Sequence, residues 1–267
     1  MKLISALIRL LLIAGMIFCY LTCGFVLGLF VRDRWKLVQA RARNISFWSR
    51  VGLILMGVKA SFLKEGHRFT LADVKKFYSG NYLLVSNHLG YLDVLVMCQL
   101  MPACFVTSKE IEKTPVLGLI CKWGGCLFVD RRSRKNLPKE ISEITEALAQ
   151  GCNVAIFPEA TSTNGETILR FKRPLFNSAM LSGRQVLPVC LNYTDVSGAP
   201  LNSVNRDSVF WYGDMSFVPH LWRVLLAKEI KVDLVLNSPL ETQNQTDLEL
   251  AEVSHKMVSI HFQPCLG

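Results

Sequence analysis

The chain predicts an α/β fold, a largely parallel central sheet flanked by helices with an N-terminal membrane-anchoring helical segment in front of it. Three observations carry this. Short, nearly continuous apolar runs recur at 82–86, 103–107, 126–130, 153–157 and 185–191, as strands buried on both faces require. Helical stretches separate several of these runs, and that alternation builds βαβ units around a parallel sheet. Ahead of them all, Leu10 to Val31 is 22 residues without a charge, enough at about 1.5 Å per residue to cross roughly 30 Å of hydrocarbon.

In chain order, the charge-free stretch is an anchor by its length. It exceeds the h-region of about 7 to 15 residues expected of a secretory signal and lacks a small-x-small exit. The basic residues Arg32, Arg34, Lys36, Arg41, Arg43 and Arg50 follow it, outweigh Lys2 and Arg9 before it, and favour that side, with the domain that follows, as cytoplasmic. A single span leaves a short outer tail; a re-entrant pair of helices keeps both ends inside. Segment 47–63 is apolar but interrupted by Arg50 and Lys59, which suits a helix lying at the membrane interface. Gly24 and Gly28 form a Gly-x3-Gly step that offers a helix-packing surface. These readings divide the chain into membrane-anchoring helices over 1–63 and an α/β domain over 64–267. Within the latter, Pro138 near the start, Gly151 past the end, and Ile141, Ile144 and Leu148 on one face predict a helix over 138–149. Strands are expected at 208–212 and 230–236, and helices around 216–228 and from Asp247 to Phe262. There is no internal repeat or low-complexity tract.

Composition narrows the function classes. Hydrophobic residues make up 51% of the chain and mean hydropathy is +0.29, high for a soluble protein. The formal net charge of +9 favours an anionic partner, and a basic cluster directly after an apolar stretch fits lipid headgroups better than a nucleic-acid groove. No zinc-finger spacing or RNA-binding aromatic signature supports nucleic acid. Nine cysteines, an odd number scattered through apolar runs, argue against a disulfide framework and read as small buried hydrophobes. Cys19 and Cys23 have no His partner nearby, so no metal is assigned.

The chemistry centres on Asn87-His88-Leu89-Gly90-Tyr91-Leu92-Asp93, directly after the first apolar run. A hydroxyl becomes a good nucleophile only once its proton is removed, and a neutral imidazole is the side chain best poised to take it near neutral pH. A carboxylate bound to one ring nitrogen fixes the tautomer and leaves the other nitrogen free to accept. Residues five apart on one helix lie about 140° from each other, so His88 and Asp93 meet only where the chain bends; Gly90 permits the bend. No Gly-x-Ser-x-Gly elbow is present, against a serine hydrolase. His67, His220, His255 and His261 lack an Asp five residues on and are taken as surface or interface residues.

Three further blocks follow in order: Gly124-Gly125-Cys126-Leu127-Phe128-Val129-Asp130-Arg131, Phe157-Pro158-Glu159-Ala160-Thr161 and Val186-Leu187-Pro188-Val189. With the His88 block, and with Ser108-Lys109-Glu110, Pro115 and Gly118 between, they resemble the glycerolipid acyltransferase family, which contains the 1-acylglycerol-3-phosphate acyltransferases. The resemblance covers roughly residues 80 to 195. It implies acyl transfer from coenzyme A or acyl carrier protein, as co-substrate and not as bound cofactor, to a lysolipid hydroxyl at a membrane. His88 and Asp93 then form the catalytic pair. Arg131, Glu159 and Thr161 correspond to acceptor-binding positions, and Lys172 with Arg173 stand where the family carries a basic step.

Departures bear on the acceptor. Ala160 replaces a family Gly, Pro174 replaces another, and Ser162 stands where many phosphatidate-forming members carry Arg. The expected acceptor is 1-acylglycerol-3-phosphate. A lysophospholipid or lyso-aminolipid with another headgroup, and a non-catalytic lipid-binding protein, stay open beside it.

Overall fold

The computed structural model describes residues 2–130 and 135–266. Two helices open the chain, α1 (Lys2–Phe30) and α2 (Arg34–Met56), followed by β1 (Val58–Lys64), β2 (His67–Phe69) and α3 (Leu71–Phe77). The next stretch alternates strand and helix: β3 (Leu83–Ser86), α4 (Tyr91–Leu100), β4 (Cys104–Ser108), α5 (Lys109–Glu112), α6 (Leu117–Trp123), β5 (Leu127–Val129), α7 (Leu137–Ala149) and β6 (Val154–Ile156). Then come α8 (Asn177–Ser182), β7 (Val186–Val196), β8 (Ala199–Pro200), α9 (Phe217–Leu226), β9 (Ile230–Leu236) and α10 (Asp247–His261).

All five apolar runs are strands of one sheet, in the order β2-β1-β9-β7-β3-β6-β4-β5, with β8 beside β7. β7, β3, β6, β4 and β5 are mutually parallel. β9 joins β7 antiparallel and carries β1 parallel to itself. Every residue of β3 is buried, consistent with helices on both faces of the sheet. The ends of β3 and β6 lie side by side, and their following loops therefore meet at one edge of the layer, where open α/β sheets place their sites.

Two expectations are corrected. Segment 47–63 is not one interfacial helix: Gly57 ends α2 in the left-handed region at φ 74°, where a Cβ would sit 2.9 Å from the Lys228 carbonyl oxygen. The chain then runs extended as β1 against β9, so a boundary after residue 63 passes through a strand. The run at 208–212 forms no strand. A 3₁₀ turn at Arg206–Ser208 precedes it, and its residues pack instead on the loop after β3, the Trp211 amide donating to the Leu89 carbonyl at 2.9 Å.

Helix α1 is the one described helix long and apolar enough to cross a membrane. It lies against the rest of the molecule along a single stripe, Ala6, Ile13, Tyr20 and Gly24, at near-heptad spacing. Arg9 Nη1 donates to the Ala227 carbonyl at 2.6 Å, binding an orphan acceptor just past α9, where a cation is favoured. Tyr20 donates to the Ile120 carbonyl at 2.7 Å. Gly24 receives the Trp123 indole, and Gly28 faces the Arg41 side chain of α2. Its remaining faces expose Leu7, Leu11, Phe18, Phe25 and Phe30 to the surroundings, together with Cys19 and Cys23, which are thus not buried hydrophobes.

Candidate active site

His88 sits in the loop that leaves β3, and Asp93 is the third residue of the first turn of α4. The turn does what the spacing demanded: His88 Nδ1 lies 2.9 Å from Asp93 Oδ2. The same oxygen accepts from the backbone amides of Leu89 at 2.6 Å and Gly90 at 2.9 Å, so the carboxylate caps the helix while holding the ring. Oδ1 accepts from the Tyr193 hydroxyl at 2.9 Å. Asp93 is fully buried, and these four donors offset the desolvation of its charge. Because the carboxylate only accepts, Nδ1 carries the hydrogen and Nε2 is the bare, basic nitrogen. Nε2 has no hydrogen-bond partner among the described residues, and the imidazole keeps 18% of its surface exposed.

The loop is fixed from three sides. Asn87 exchanges both hydrogen bonds with the backbone of Leu191 in β7. Gly90 leaves room for Trp211, whose backbone nitrogen would stand 2.9 Å from an added Cβ. Glu159 binds His88 itself: Oε1 accepts from the His88 amide at 2.7 Å, and Oε2 from the Leu169 amide at 2.7 Å. Glu159 is 2% exposed. Burial pushes its carboxyl up to about 7, against the opposing pull of the two amides. Each Glu159 oxygen takes up one backbone amide, so the side chain braces the histidine loop. The adjacent Phe157 ring stacks on the imidazole, centroids 4.1 Å apart and planes 12° from parallel.

Phe157 also lines a cavity of about 1010 Å³ with Val129, Ile156, Arg170, Lys172 and Arg173. The family's basic step is thereby brought to the same cavity wall, one residue removed from the histidine. Arg173 faces Asp247 at 3.9 Å and Arg170 faces Glu252 at 3.7 Å, while Asp130 and Glu140 also border the cavity. Thr161 is exposed and makes a long 3.4 Å contact to the Ser162 carbonyl. Arg131 lies outside the described residues. Ala160 holds φ 61°, the left-handed conformation that its family counterpart, glycine, adopts without strain. Pro174 opens a 3₁₀ turn, a position where its fixed φ fits.

Sequence reasoning missed Tyr193, which reaches Asp93 from 100 residues away, and the stacking role of Phe157. It also misread His220, which is buried. That ring sits 3.1 Å from the Tyr91 hydroxyl inside a cluster with Trp211 and Phe217, and burial pushes its pKa down. Among the described residues no group of three or more His, Cys, Asp or Glu side chains is placed to hold a metal ion.

The family model described as Acyltransferase matches residues 68–192, a span that contains His88, Asp93, Glu159, Lys172 and Arg173 and stops one residue short of Tyr193. The lyso-ornithine lipid O-acyltransferase of Brucella abortus (strain 2308) is 31% identical over 187 residues, 67% of this chain and 70% of that protein. The 1-acyl-sn-glycerol-3-phosphate acyltransferase of Neisseria gonorrhoeae is 36% identical over 155 residues, 57% of this chain and 58% of that one. In fold, the chain is similar to the crystal structure of the 1-acyl-sn-glycerophosphate acyltransferase from Thermotoga maritima, with a TM-score of 0.66 at 19% identity over 97% of this chain and 95% of that one. An α/β sheet of this topology, a histidine seated on a buried carboxylate, and a relative aligned over most of both lengths converge, and the chain belongs to the acyltransferase family.

Proposed function

We propose a membrane-bound O-acyltransferase that moves a fatty acyl group from a thioester of coenzyme A or acyl carrier protein to a lysolipid hydroxyl, with 1-acylglycerol-3-phosphate as acceptor and phosphatidate as product. The observation that supports it most is the imidazole held through Nδ1 by Asp93 with Nε2 unengaged. Nε2 takes the hydroxyl proton as the acceptor oxygen bonds to the thioester carbonyl carbon, whose π electrons move onto its oxygen. When that intermediate collapses, the C–S bond breaks. The departing thiolate then takes the proton from the imidazolium, leaving an ester and a free thiol. Asp93 keeps the ring in one tautomer and stabilises its charged form between the two proton transfers.

The acceptor phosphate is attracted by Lys172, aided by Arg170 and Arg173 at the cavity; Lys172 makes no ion pair among the described residues, which leaves its charge for a ligand. Arg131 and Thr161 contribute on the acceptor side. A second reading is favoured by Ser162, in place of the expected Arg, and by Asp130 and Glu140 at the same cavity: a lyso-aminolipid, whose cationic headgroup those carboxylates would pair. Exposed apolar side chains on α1 and exposed Arg32, Lys36 and Arg43 beside it support seating on an anionic bilayer, the catalytic domain at its cytoplasmic face.

One assay separates the readings. Purified protein is given one labelled acyl thioester, on coenzyme A and then on acyl carrier protein, and a panel of lysolipids. Label in phosphatidate supports the first reading, and label only in a diacylated aminolipid supports the second. No transfer with any acceptor from either donor rejects catalysis and leaves a lipid-binding protein.

A further inference from the structure

Asp93 uses its two oxygens unequally. Three donors converge on Oδ2, from His88, Leu89 and Gly90, whereas among the described residues Oδ1 is served by the Tyr193 hydroxyl alone. We propose that Tyr193 is a positioning residue for the transfer reaction: its hydroxyl fixes the plane of the Asp93 carboxylate and draws off part of its charge, and so sets both the aim of His88 and how strongly that ring holds a proton. The inference rests on the transfer reaction proposed above and adds a residue that acts through Asp93 without touching substrate.

Several features make Tyr193 suited to this. It lies on β7, in the middle of the sheet, and the β7–β9 pairing shifts register directly after it, between Tyr193 and Asp195; such a bulge re-aims the side chains around it. The ring is buried at 6% exposure and packed edge-on by Phe210, centroids 5.7 Å apart, so the hydroxyl has little freedom to leave. Burial, reinforced by the neighbouring carboxylate, pushes the phenol well above its usual pKa, which keeps it a donor and never a competing base. Remove that donor and Oδ1 is left unsatisfied in a fully buried position. The carboxylate then loses the bond that squares its plane opposite the three donors on Oδ2, and its undiminished charge grips the imidazolium harder.

Two signs follow. With 1-acylglycerol-3-phosphate and a fatty acyl-CoA as substrates and the full chain in detergent micelles, Tyr193→Phe should lower kcat about tenfold with both KM values within about twofold. The acid limb of its kcat/KM profile should move up by about one pH unit, because a more tightly held proton must be lost at higher pH. Incorporating 3-fluorotyrosine at position 193, a stronger donor of the same shape, should move that limb down, and it remains informative if the Phe variant fails to fold. Unmoved limbs in the folded variants, or a lower melting temperature with unchanged kcat, overturn the role of Tyr193. If that happens while His88→Ala is inactive, only this inference falls; if His88→Ala turns over normally, the transfer mechanism falls with it.

Discussion

At the residue scale, the pair His88 and Asp93 was legible because it is local: five positions, a glycine between, and a strand before. Its support was not. Tyr193 and Glu159 come from distant strands and loops, and a buried hydroxyl or carboxylate carries no mark in sequence of the partner it will meet. Glu159 shows the consequence. Glu159→Gln keeps the shape but points an amide group at one of two backbone donors, so one tether of the histidine loop is lost. Transfer should fall at least tenfold although no proposed reacting atom has changed, as initial rates will show. The pH dependence has a definite sign. The folded carboxyl titrates at about 7 against an ordinary 4.5, so its contribution to stability is fully present below about 4.5 and fades as pH rises through 7, a swing on the order of 3 kcal/mol. Thermal melts at pH 5 and pH 8 should therefore show wild type losing its margin over Glu159→Gln at the higher pH. A simpler test concerns Ala160, at φ 61°. Ala160→Gly should raise stability by about 1 kcal/mol, measured as a higher denaturation midpoint with activity retained.

At the element scale, the five buried strands were readable because continuous apolar runs of this length have few other uses in an α/β domain. Two failures have physical causes. At 47–63 the run crosses two elements, and the break lies in one glycine whose left-handed conformation only the approach of Lys228 reveals. At 208–212 the apolar residues were sound as a burial signal, yet they pack on a loop and on aromatic side chains without joining a ladder. Helix α1 was legible as apolar but its docking was not, since only one stripe of four residues is buried against the body. Gly24 is central to that contact, with an added Cβ placed 2.8 Å from Trp123. Gly24→Leu should push the indole out and loosen α1 by roughly 1–3 kcal/mol. Amide hydrogen exchange should then accelerate along residues 13–27 while the sheet stays protected; unchanged protection of α1 would contradict the packing described.

For the whole molecule, sheet order, apolar helix and charge combine into one arrangement. The β3 and β6 loops share an edge of the sheet, the histidine loop is clamped there by Glu159 and Asn87, and the basic cavity opens beside Phe157. The docking of α1 along α9 and α6 keeps its exposed apolar surface attached to the body that carries the site. The most direct test of this account is acyl transfer by His88→Ala, with circular dichroism and melting temperature as controls for folding. The account predicts a folded protein whose transfer rate falls by 10² to 10⁴-fold, the range of a lost general base; turnover within a few fold of wild type would contradict it.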